Sequence, residues 1–307
     1  MVFAIPSQVR ENQFVTRVDA TLSPNHTLYG RYFLDGYSNA AFYSPTNILI
    51  TSQSGNKERA QALTIAETWI INQHTVNTFH ASGTRRRDNR GPADGGINAT
   101  TIGVTTYEPV PVGLNLAVNS KFSTYCGSCA VGHFNINTFS YTDDVNISFG
   151  KHQLSFGGEI ARSQLNDTNT YLANGAFTFK GQYSKTGPAG TSKGGTALNN
   201  NLDFLTGAMS SYQQSIFSTS AVRSLVPSLY VQDTYHATQN FVVSAGVRWE
   251  PEVWPVDYFN RGTAFNMSNF LSNTISTAYP TAPAGLLFYG DKGIPRTITK
   301  SSLWQFS

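Results

Sequence analysis

The chain has 307 residues and a formal net charge of +3, with 13% charged and 13% aromatic residues. Soluble proteins carry about 25% charged residues, so this composition is unusual for a soluble enzyme. The small net charge gives no support for a nucleic-acid partner. No run of about 18 apolar residues exists, which excludes a transmembrane helix. The composition instead favours a membrane β-barrel with aromatic girdles and a polar lumen.

The two ends of the sequence suggest that the chain is an internal piece of a longer protein. The start, MVFAIPSQVRENQ, has neither the basic region nor the apolar core of a secretory signal. The end, SSLWQFS, has no closing strand and no turn signal. We therefore expect further segments outside residues 1–307.

The first predicted hairpin covers residues 13–22 and 26–36, with a turn at residues 23–25. Successive side chains of a strand point to opposite faces, so alternation of apolar and polar residues indicates a strand with two different walls. In the first arm the residues predicted to face outward are Phe14, Val18, Ala20 and Leu22. Those predicted to face inward are Gln13, Arg17, Asp19 and Thr21.

Two further hairpins are predicted, at residues 57–87 with a turn at 72–73, and at residues 139–161 with a turn at Gly150 and Lys151. In the second of these, Phe139, Tyr141, Val145, Ile147 and Phe149 alternate with polar residues. The arm that follows repeats the pattern, with Leu154, Phe156, Gly158 and Ile160 on one side.

The clearest hairpin is YVQDTYHATQNFVVSAGVRWEP, residues 230–251, with a turn at residues 237–239. Its return arm has one apolar side, formed by Phe241, Val243, Ala245, Val247 and Trp249. The other side is mostly polar and is formed by Val242, Ser244, Gly246, Arg248 and Glu250. An apolar band with aromatic ends is typical of a strand that faces lipid.

Long loops are predicted at about residues 37–56, 88–132, 164–220 and 251–302, with a strand-like piece at 176–181 and a short helix near 201–209. Long loops on one side and short turns on the other are typical of outer-membrane barrels, which have extracellular loops and periplasmic turns. We therefore predict an all-β fold, an antiparallel up-and-down meander that supplies about 8–10 strands of a large transmembrane β-barrel. The alternative, a soluble sandwich, would bury the apolar side of the hairpins in one core.

The last third of the chain resembles TonB-dependent outer-membrane receptors. Their hairpin often has the pattern aromatic-x-Gln-Asp-aromatic, a short turn, then Gly-x-Arg-aromatic-Glu. The matching positions are Tyr230, Gln232, Asp233, Tyr235, Gly246, Arg248, Trp249 and Glu250. The segments NLDFLTGAMSSYQQ (201–214) and GLLFYGDKGIPR (285–296) resemble the loops before and after this hairpin in the Oar-like branch, in which a carboxypeptidase-regulatory-like domain precedes the plug.

The resemblance implies a receptor of the Gram-negative outer membrane with about 22 strands, which binds a substrate at extracellular loops and admits it through a plugged barrel. It implies contact with membrane lipid and lipopolysaccharide, energy from the TonB complex through a plug that lies outside this chain, and an imported ligand of unknown identity. We expect no enzyme activity, no cofactor and no nucleic-acid partner. A secreted adhesin or carbohydrate-binding protein and a passive porin are the alternatives.

Three groups of residues are candidates for function. Cys126 and Cys129 are predicted to form a disulfide within a loop, with two free thiols or a redox or metal role as the alternatives. Because guanidinium groups match phosphate geometry, a basic cluster is predicted to contact lipopolysaccharide phosphates or an anionic ligand. The alternative is a solvated loop rim. The cluster consists of Arg85, Arg86, Arg87 and Arg90. The residues predicted to face the lumen, either along a substrate path or paired with each other, are Arg17, Arg31, Glu159 and Arg248.

Overall fold

The computed structural model describes residues 6–47, 49, 54–93, 97–110, 113–124, 130–184, 197–294, 296–297 and 302–306. In chain order the strands are β1 (Val9–Ser23), β2 (His26–Asn39), β3 (Ser54–Asn72), β4 (Thr75–Pro92), β5 (Asn115–Val118), β6 (Phe122–Ser123), β7 (Gly132–Phe149), β8 (His152–Asn169), β9 (Ala176–Phe179), β10 (Ser211–Gln213), β11 (Ser218–Thr238), β12 (Phe241–Trp249), β13 (Val256–Asp257), β14 (Thr263–Phe265) and β15 (Leu286–Phe288). The α-helices are α1 (Ala197–Leu205) and α2 (Met267–Leu271), and a short 3-10 helix spans Thr100–Ile102.

Eight long strands form one antiparallel sheet, in the order β1-β2-β3-β4-β7-β8-β11-β12. Neighbours in the sheet are therefore neighbours in the sequence of long strands, which confirms the predicted up-and-down meander. The short strand β13 adds to β11, and β1 and β12 are the ends of this path. No helix in the described residues is long and apolar enough to cross a membrane.

The register keeps residues of one kind on one face of the sheet. A line of directly opposed residues crosses seven strands through Val18, Gly30, Ile65, Ala81, Tyr141, Ile160 and Pro227. The adjacent line on the other face runs through Asp19, Tyr29, Ala66, His80, Thr142, Glu159 and Ser228. Since a shift of one residue would exchange the two faces, this alternation fixes the register. The two sides are called the apolar face and the polar face below.

Side-chain oxygens stabilise three of the four short turns. The residue before each two-residue turn accepts a hydrogen bond from the second turn residue: Ser23 Oγ from Asn25 N at 3.2 Å, Asn72 Oδ1 from His74 N at 2.8 Å, and Thr238 Oγ1 from Asn240 N at 3.3 Å. Asn, Ser and Thr favour turns because they can bond their own backbone in this way. In the fourth turn Gly150 adopts a φ of +58°, which glycine tolerates.

Backbone hydrogen bonds also join three of the turns to the neighbouring strand of the sheet. Asn25 O accepts from Ile70 N, His74 O from Ser148 N, and Lys151 O from His236 N, each at 2.8 Å. The β1–β2 turn is thereby attached to β3, the β3–β4 turn to β7, and the β7–β8 turn to β11. The short-turn edge is therefore one continuous hydrogen-bonded rim.

No second layer covers the apolar face in the part of the chain that the structure describes. Val18 is 67% exposed, Leu229 57% and Val247 54%. A soluble sandwich would bury the six residues that decide between the folds, but each is exposed or only partly buried: Ile147, Leu154, Phe156, Phe241, Val243 and Val247. An exposed apolar face of this extent is unstable in water and suits contact with lipid.

Two of the long loops contain a second, small folded unit, called the loop domain. It consists of the sheet β10-β9-β5-β6 and helix α1. Strands β5 and β9 come from different loops and pair in parallel. The core of the loop domain is formed by Ala99, Leu114, Leu116, Val118, Phe177 and Phe179, with Phe122 and Phe204 packed against it.

Several observed boundaries differ from those expected from the sequence. Strand β4 continues to Pro92 and β11 begins at Ser218, both inside segments assigned to loops. Helix α1 spans Ala197–Leu205 rather than residues 201–209. The turn of the last hairpin lies at residues 239–240, because a register shift between His236 and Thr238 extends β11 to Thr238.

Candidate functional site

The four residues predicted to face the lumen all lie on the polar face. Arg17 and Arg31 are directly opposed on β1 and β2. Arg17 forms an ion pair with Asp19, with Nη2 and Oδ1 2.6 Å apart, and its guanidinium lies 4.2 Å from the ring centroid of Tyr29. This end of the polar face therefore presents two guanidinium groups, one neutralised by a carboxylate and held against an aromatic ring.

Glu159 and Arg248 belong to a second polar group, on β7, β8, β11 and β12. Ser140 Oγ donates to Glu159 Oε1 at 3.2 Å. Arg248 pairs with Glu250 at 3.0 Å and donates to Ser228 Oγ at 3.2 Å.

On the same face, Tyr230 Oη donates to Asp144 Oδ1 at 2.6 Å. Asp143 lies on the apolar face, opposite Phe79. The two adjacent carboxyl groups therefore point away from each other and cannot act together as acid and base. The polar face offers hydrogen bonds and paired charges to a solute.

The four arginines expected to form one basic cluster are divided between the two faces. Arg86 pairs with Glu58 on the polar face at 2.9 Å. On the same face Arg90 Nε donates to Ala130 O at 3.3 Å, and its guanidinium lies 5.1 Å from the Phe134 ring. Arg85 and Arg87 lie on the other face, because successive residues of β4 alternate.

The loop domain holds its two loops together through buried polar groups as well as its core. Asn200 is fully buried, and its Nδ2 donates to Asn119 O at 2.6 Å, which joins α1 to the loop that contains β5. The buried carboxylate of Asp203 accepts from Ser184 N at 2.6 Å and from Tyr183 N at 3.3 Å. Burial raises the pKa of Asp203, but the hydrogen bonds from residues 182–184 outweigh burial, so the net pKa is lowered.

The loop after β12 is organised by the buried carboxylate of Asp291. Its Oδ1 accepts from Thr277 N at 2.8 Å, Thr277 Oγ1 at 2.7 Å and Ala278 N at 3.1 Å. Its Oδ2 accepts from Ser276 Oγ at 2.7 Å and Phe288 N at 2.9 Å. These bonds hold the pKa of Asp291 well below its usual range, and the bond from the Phe288 amide has the largest effect.

The remaining candidates from the sequence are the two cysteines. Cys126 and Cys129 lie outside the described residues, so their disulfide stays a prediction. The part of the chain that the structure describes contains no group of three or more His, Cys, Asp or Glu side chains arranged to hold a metal ion.

Two histidine–carboxylate pairs on the apolar face were not expected from the sequence. His26 Nδ1 lies 2.9 Å from Glu67 Oε1, and the His26 ring stacks on Trp69. His152 Nδ1 lies 2.6 Å from Asp233 Oδ2, and the His152 ring stacks on Tyr235. The only signal in the sequence was the position of both histidines beside turns, which does not reveal their partners on neighbouring strands.

A protein-family model described as "Outer membrane beta barrel domain" matches residues 1–307. No curated protein sequence matches the chain. Among solved structures, the translocator domain of the autotransporter NalP from Neisseria meningitidis is similar at 9% identity and a TM-score of 0.32, over 82% of this chain and 64% of that chain. The ferric-catecholate import receptor Fiu from E. coli K12, in its closed form, is similar at 11% identity and a TM-score of 0.43, over 98% of this chain and 39% of that chain.

Proposed function

Since the chain belongs to the outer membrane β-barrel domain family, we propose that it is part of the barrel of a TonB-dependent receptor of the Oar-like branch. In this proposal the extracellular loops bind a substrate, and the barrel admits it past a plug supplied by another part of the protein. The apolar face contacts lipid and the polar face surrounds the interior. The protein is located in the outer membrane of Gram-negative bacteria.

The observation that carries this proposal is the loop domain. Val118 and Phe177 belong to different loops, yet both lie in one buried core, and the parallel pairing of β5 with β9 joins the loops. A surface that is already folded loses less conformational entropy when it binds a ligand than two separate flexible loops would lose. Such an extracellular surface is suited to the capture of a large or scarce substrate.

The polar face supports passage rather than chemical conversion. Several of its charged groups are joined in ion pairs, such as Arg17 with Asp19 and Arg248 with Glu250, and neutral hydrogen-bonding groups lie between them. A polar wall of this kind permits a solute to exchange hydrogen bonds as it moves. In the proposed mechanism, the TonB complex supplies the energy that displaces the plug, and no covalent step occurs on this chain.

The two alternatives differ from this proposal in what they require of the loops. A passive porin needs a loop that narrows an open channel, whereas β5, β6, β9 and β10 pair with one another in a sheet of their own. A surface adhesin would use the loop domain for attachment and would need no gated passage. Exposed aromatic side chains such as Tyr107 and Tyr183 are compatible with either use of the loop domain.

The test is a measurement of conductance and TonB binding with the full-length protein. We expect the purified protein in planar lipid bilayers to remain electrically closed and to bind purified TonB. Steady conductance without TonB binding would assign the protein to the passive porins. A closed protein that does not bind TonB, and that attaches cells to a surface, would support the adhesin.

A further inference from the structure

The cationic side chains at the long-loop end of the apolar face form a patch of which the sequence indicated only Arg87. Arg10 and Lys57 lie on one line across the sheet, separated by Ser38 on β2. Arg59 and Arg87 are directly opposed on the next line. These four residues, Arg10, Lys57, Arg59 and Arg87, are called the outward basic patch, and all four side chains are exposed.

The outward basic patch surrounds a groove with a volume of about 640 Å³, which these four residues line together with Asn12, Leu34, Gly36 and others. Gly36 lies between Asn12 and Arg59 on its line, and its lack of a side chain opens the groove. A Cβ at Gly36 would meet one atom within 4 Å, Asn12 O at 3.9 Å. The groove therefore has room for a group of several heavy atoms beside the four cations.

The carboxylates of the same strand segments lie on the other face. Glu11, Asp35, Glu58 and Asp88 all point to the polar face, because each is adjacent in sequence to a residue of the apolar face. Within the described residues, no ion pair joins a cation of the outward basic patch to a carboxylate. Glu58 also lines the groove, but its carboxylate pairs with Arg86 on the polar face at 2.9 Å. The four positive charges of the patch therefore have no ion-pair partner among the described residues, which suits an anion.

The position of the patch along the sheet determines which anion reaches it. The next line towards the short turns contains Phe14, Leu34, Gln61 and Arg85, and the lines beyond it contain Leu63 and Ile65. Arg85 does not line the groove, and its Nη1 donates to Asn137 Oδ1 at 3.2 Å. The cations thus begin where the band of apolar side chains ends, on the face that contacts lipid. Strand residues two apart are separated by about 6.6 Å along the strand, so the patch lies only one or two such steps beyond the apolar band. In the outer leaflet this is the level of the lipid headgroups.

We propose that the outward basic patch binds the phosphate groups of lipid A, the phosphorylated glycolipid anchor of lipopolysaccharide. Arg59 and Arg87 present planar guanidinium groups that can each donate two parallel hydrogen bonds to a phosphate. Arg10 and Lys57 add charge one line further from the membrane. A lipid bound there would fix one strip of the barrel, β1 to β4, at a defined depth in the membrane.

The experiment compares lipid A binding by the full-length protein and by two double variants. Arg59→Gln with Arg87→Gln removes two charges from the patch. Arg86→Gln with Arg90→Gln removes two charges from neighbouring residues on the polar face. Bound lipid is measured by native mass spectrometry across a titration, and correct folding is checked by circular dichroism and by migration in gels without heating.

We expect the patch variant to bind lipid A at least about tenfold more weakly, and the control variant to stay within about twofold of the unmodified protein. The unmodified protein should also bind dephosphorylated lipid A about tenfold more weakly, a comparison that needs no variant. Equal binding of the phosphorylated and dephosphorylated lipids would overturn the proposal. Displacement of lipid A by inorganic phosphate alone would overturn it too, because the patch would then be a site for a soluble anion.

Discussion

Asp291 holds the loop after β12 in its folded conformation. Its carboxylate accepts five hydrogen bonds from Ser276, Thr277, Ala278 and Phe288, so it joins two ends of one segment. Because these bonds lower its pKa, the ionised form stabilises the folded loop. This stabilisation is complete above the unfolded pKa of about 4 and is lost as the pH falls towards the lower folded pKa.

Replacement of Asp291 with Asn should loosen residues 274–291 without unfolding the sheet. An amide cannot accept all five bonds, so we expect protease cleavage in this loop to accelerate by about tenfold or more at pH 7. In the unmodified protein the loop should stay protected at pH 4 to 5 and open only below about pH 3, whereas the variant should lack this pH dependence. The control is Glu252→Gln, at an exposed carboxylate of the same loop, which should leave cleavage unchanged.

Adjacent residues of β11 provide a second test at the residue scale. Val231 lies on the apolar face opposite Val247, and Gln232 lies on the polar face opposite Gly246. Val231→Arg exposes a charge to lipid and should lower the free energy of unfolding. The expected loss is about 2–4 kcal/mol, which is the cost of an arginine that faces lipid at the middle of a membrane. Gln232→Arg should change it by less than about 1 kcal/mol.

Denaturant titration in lipid vesicles, monitored by tryptophan fluorescence, measures both changes. An equal loss of stability in the two variants would mean that the two faces of β11 do not have different surroundings.

At the scale of elements, the loop domain should behave as one cooperative unit. Phe177 on β9 is buried against Leu116 and Val118 of the other loop. Phe177→Ala should cost about 3–5 kcal/mol, which is enough to unfold a unit of this size. We therefore expect hydrogen exchange to accelerate in residues 97–124 and 170–214 together, while β7 and β8 keep their protection. Faster exchange in only one loop would show that the loops fold separately.

The control for this prediction is Ile216→Ala. Ile216 is 91% exposed, so its truncation removes no buried contact. Exchange in both loops should then remain as in the unmodified protein.

The hairpins were predictable because their signal is local. Alternation in residues 139–149 and 154–161, with Gly150 and Lys151 between them, gave the paired strands β7 and β8 and both of their faces. The loop domain could not be predicted in the same way. Strands β5 and β9 have four residues each, too few for a clear period, and they pair although residues 119–175 separate them.

For the candidate residues, the sequence predicted only which face of the sheet each side chain lies on, from the alternation along its strand. Arg17, Arg31, Glu159 and Arg248 share one face because each lies at a polar position of its strand. Only Arg87 of the outward basic patch was predicted from the sequence, because the members come from β1, β3 and β4, and their proximity depends on the register between strands. Proximity in sequence was misleading for Arg86 and Arg87, which alternation places on opposite faces.

At the scale of the whole molecule, the strands are longer than the apolar layer requires. Strands β4, β7 and β8 each have 18 residues. At about 3.3 Å per residue and a tilt of about 40°, such a strand extends roughly 45 Å along the membrane normal, against an apolar band of about 25 Å. The strand ends nearest the long loops therefore extend beyond the apolar band, which carries the loop domain away from the membrane.

The most direct test of the account is the surroundings of alternate residues along one strand in the full-length protein in a bilayer. Cys126 and Cys129 are first replaced with Ala, and spin labels are then attached to single cysteines introduced at positions 229–236. Labels at 229, 231, 233 and 235 should collide mainly with oxygen dissolved in lipid, and labels at 230, 232, 234 and 236 mainly with a water-soluble nickel complex. Collision rates that show no two-residue alternation would contradict the assignment of the apolar face to lipid and of the polar face to the interior.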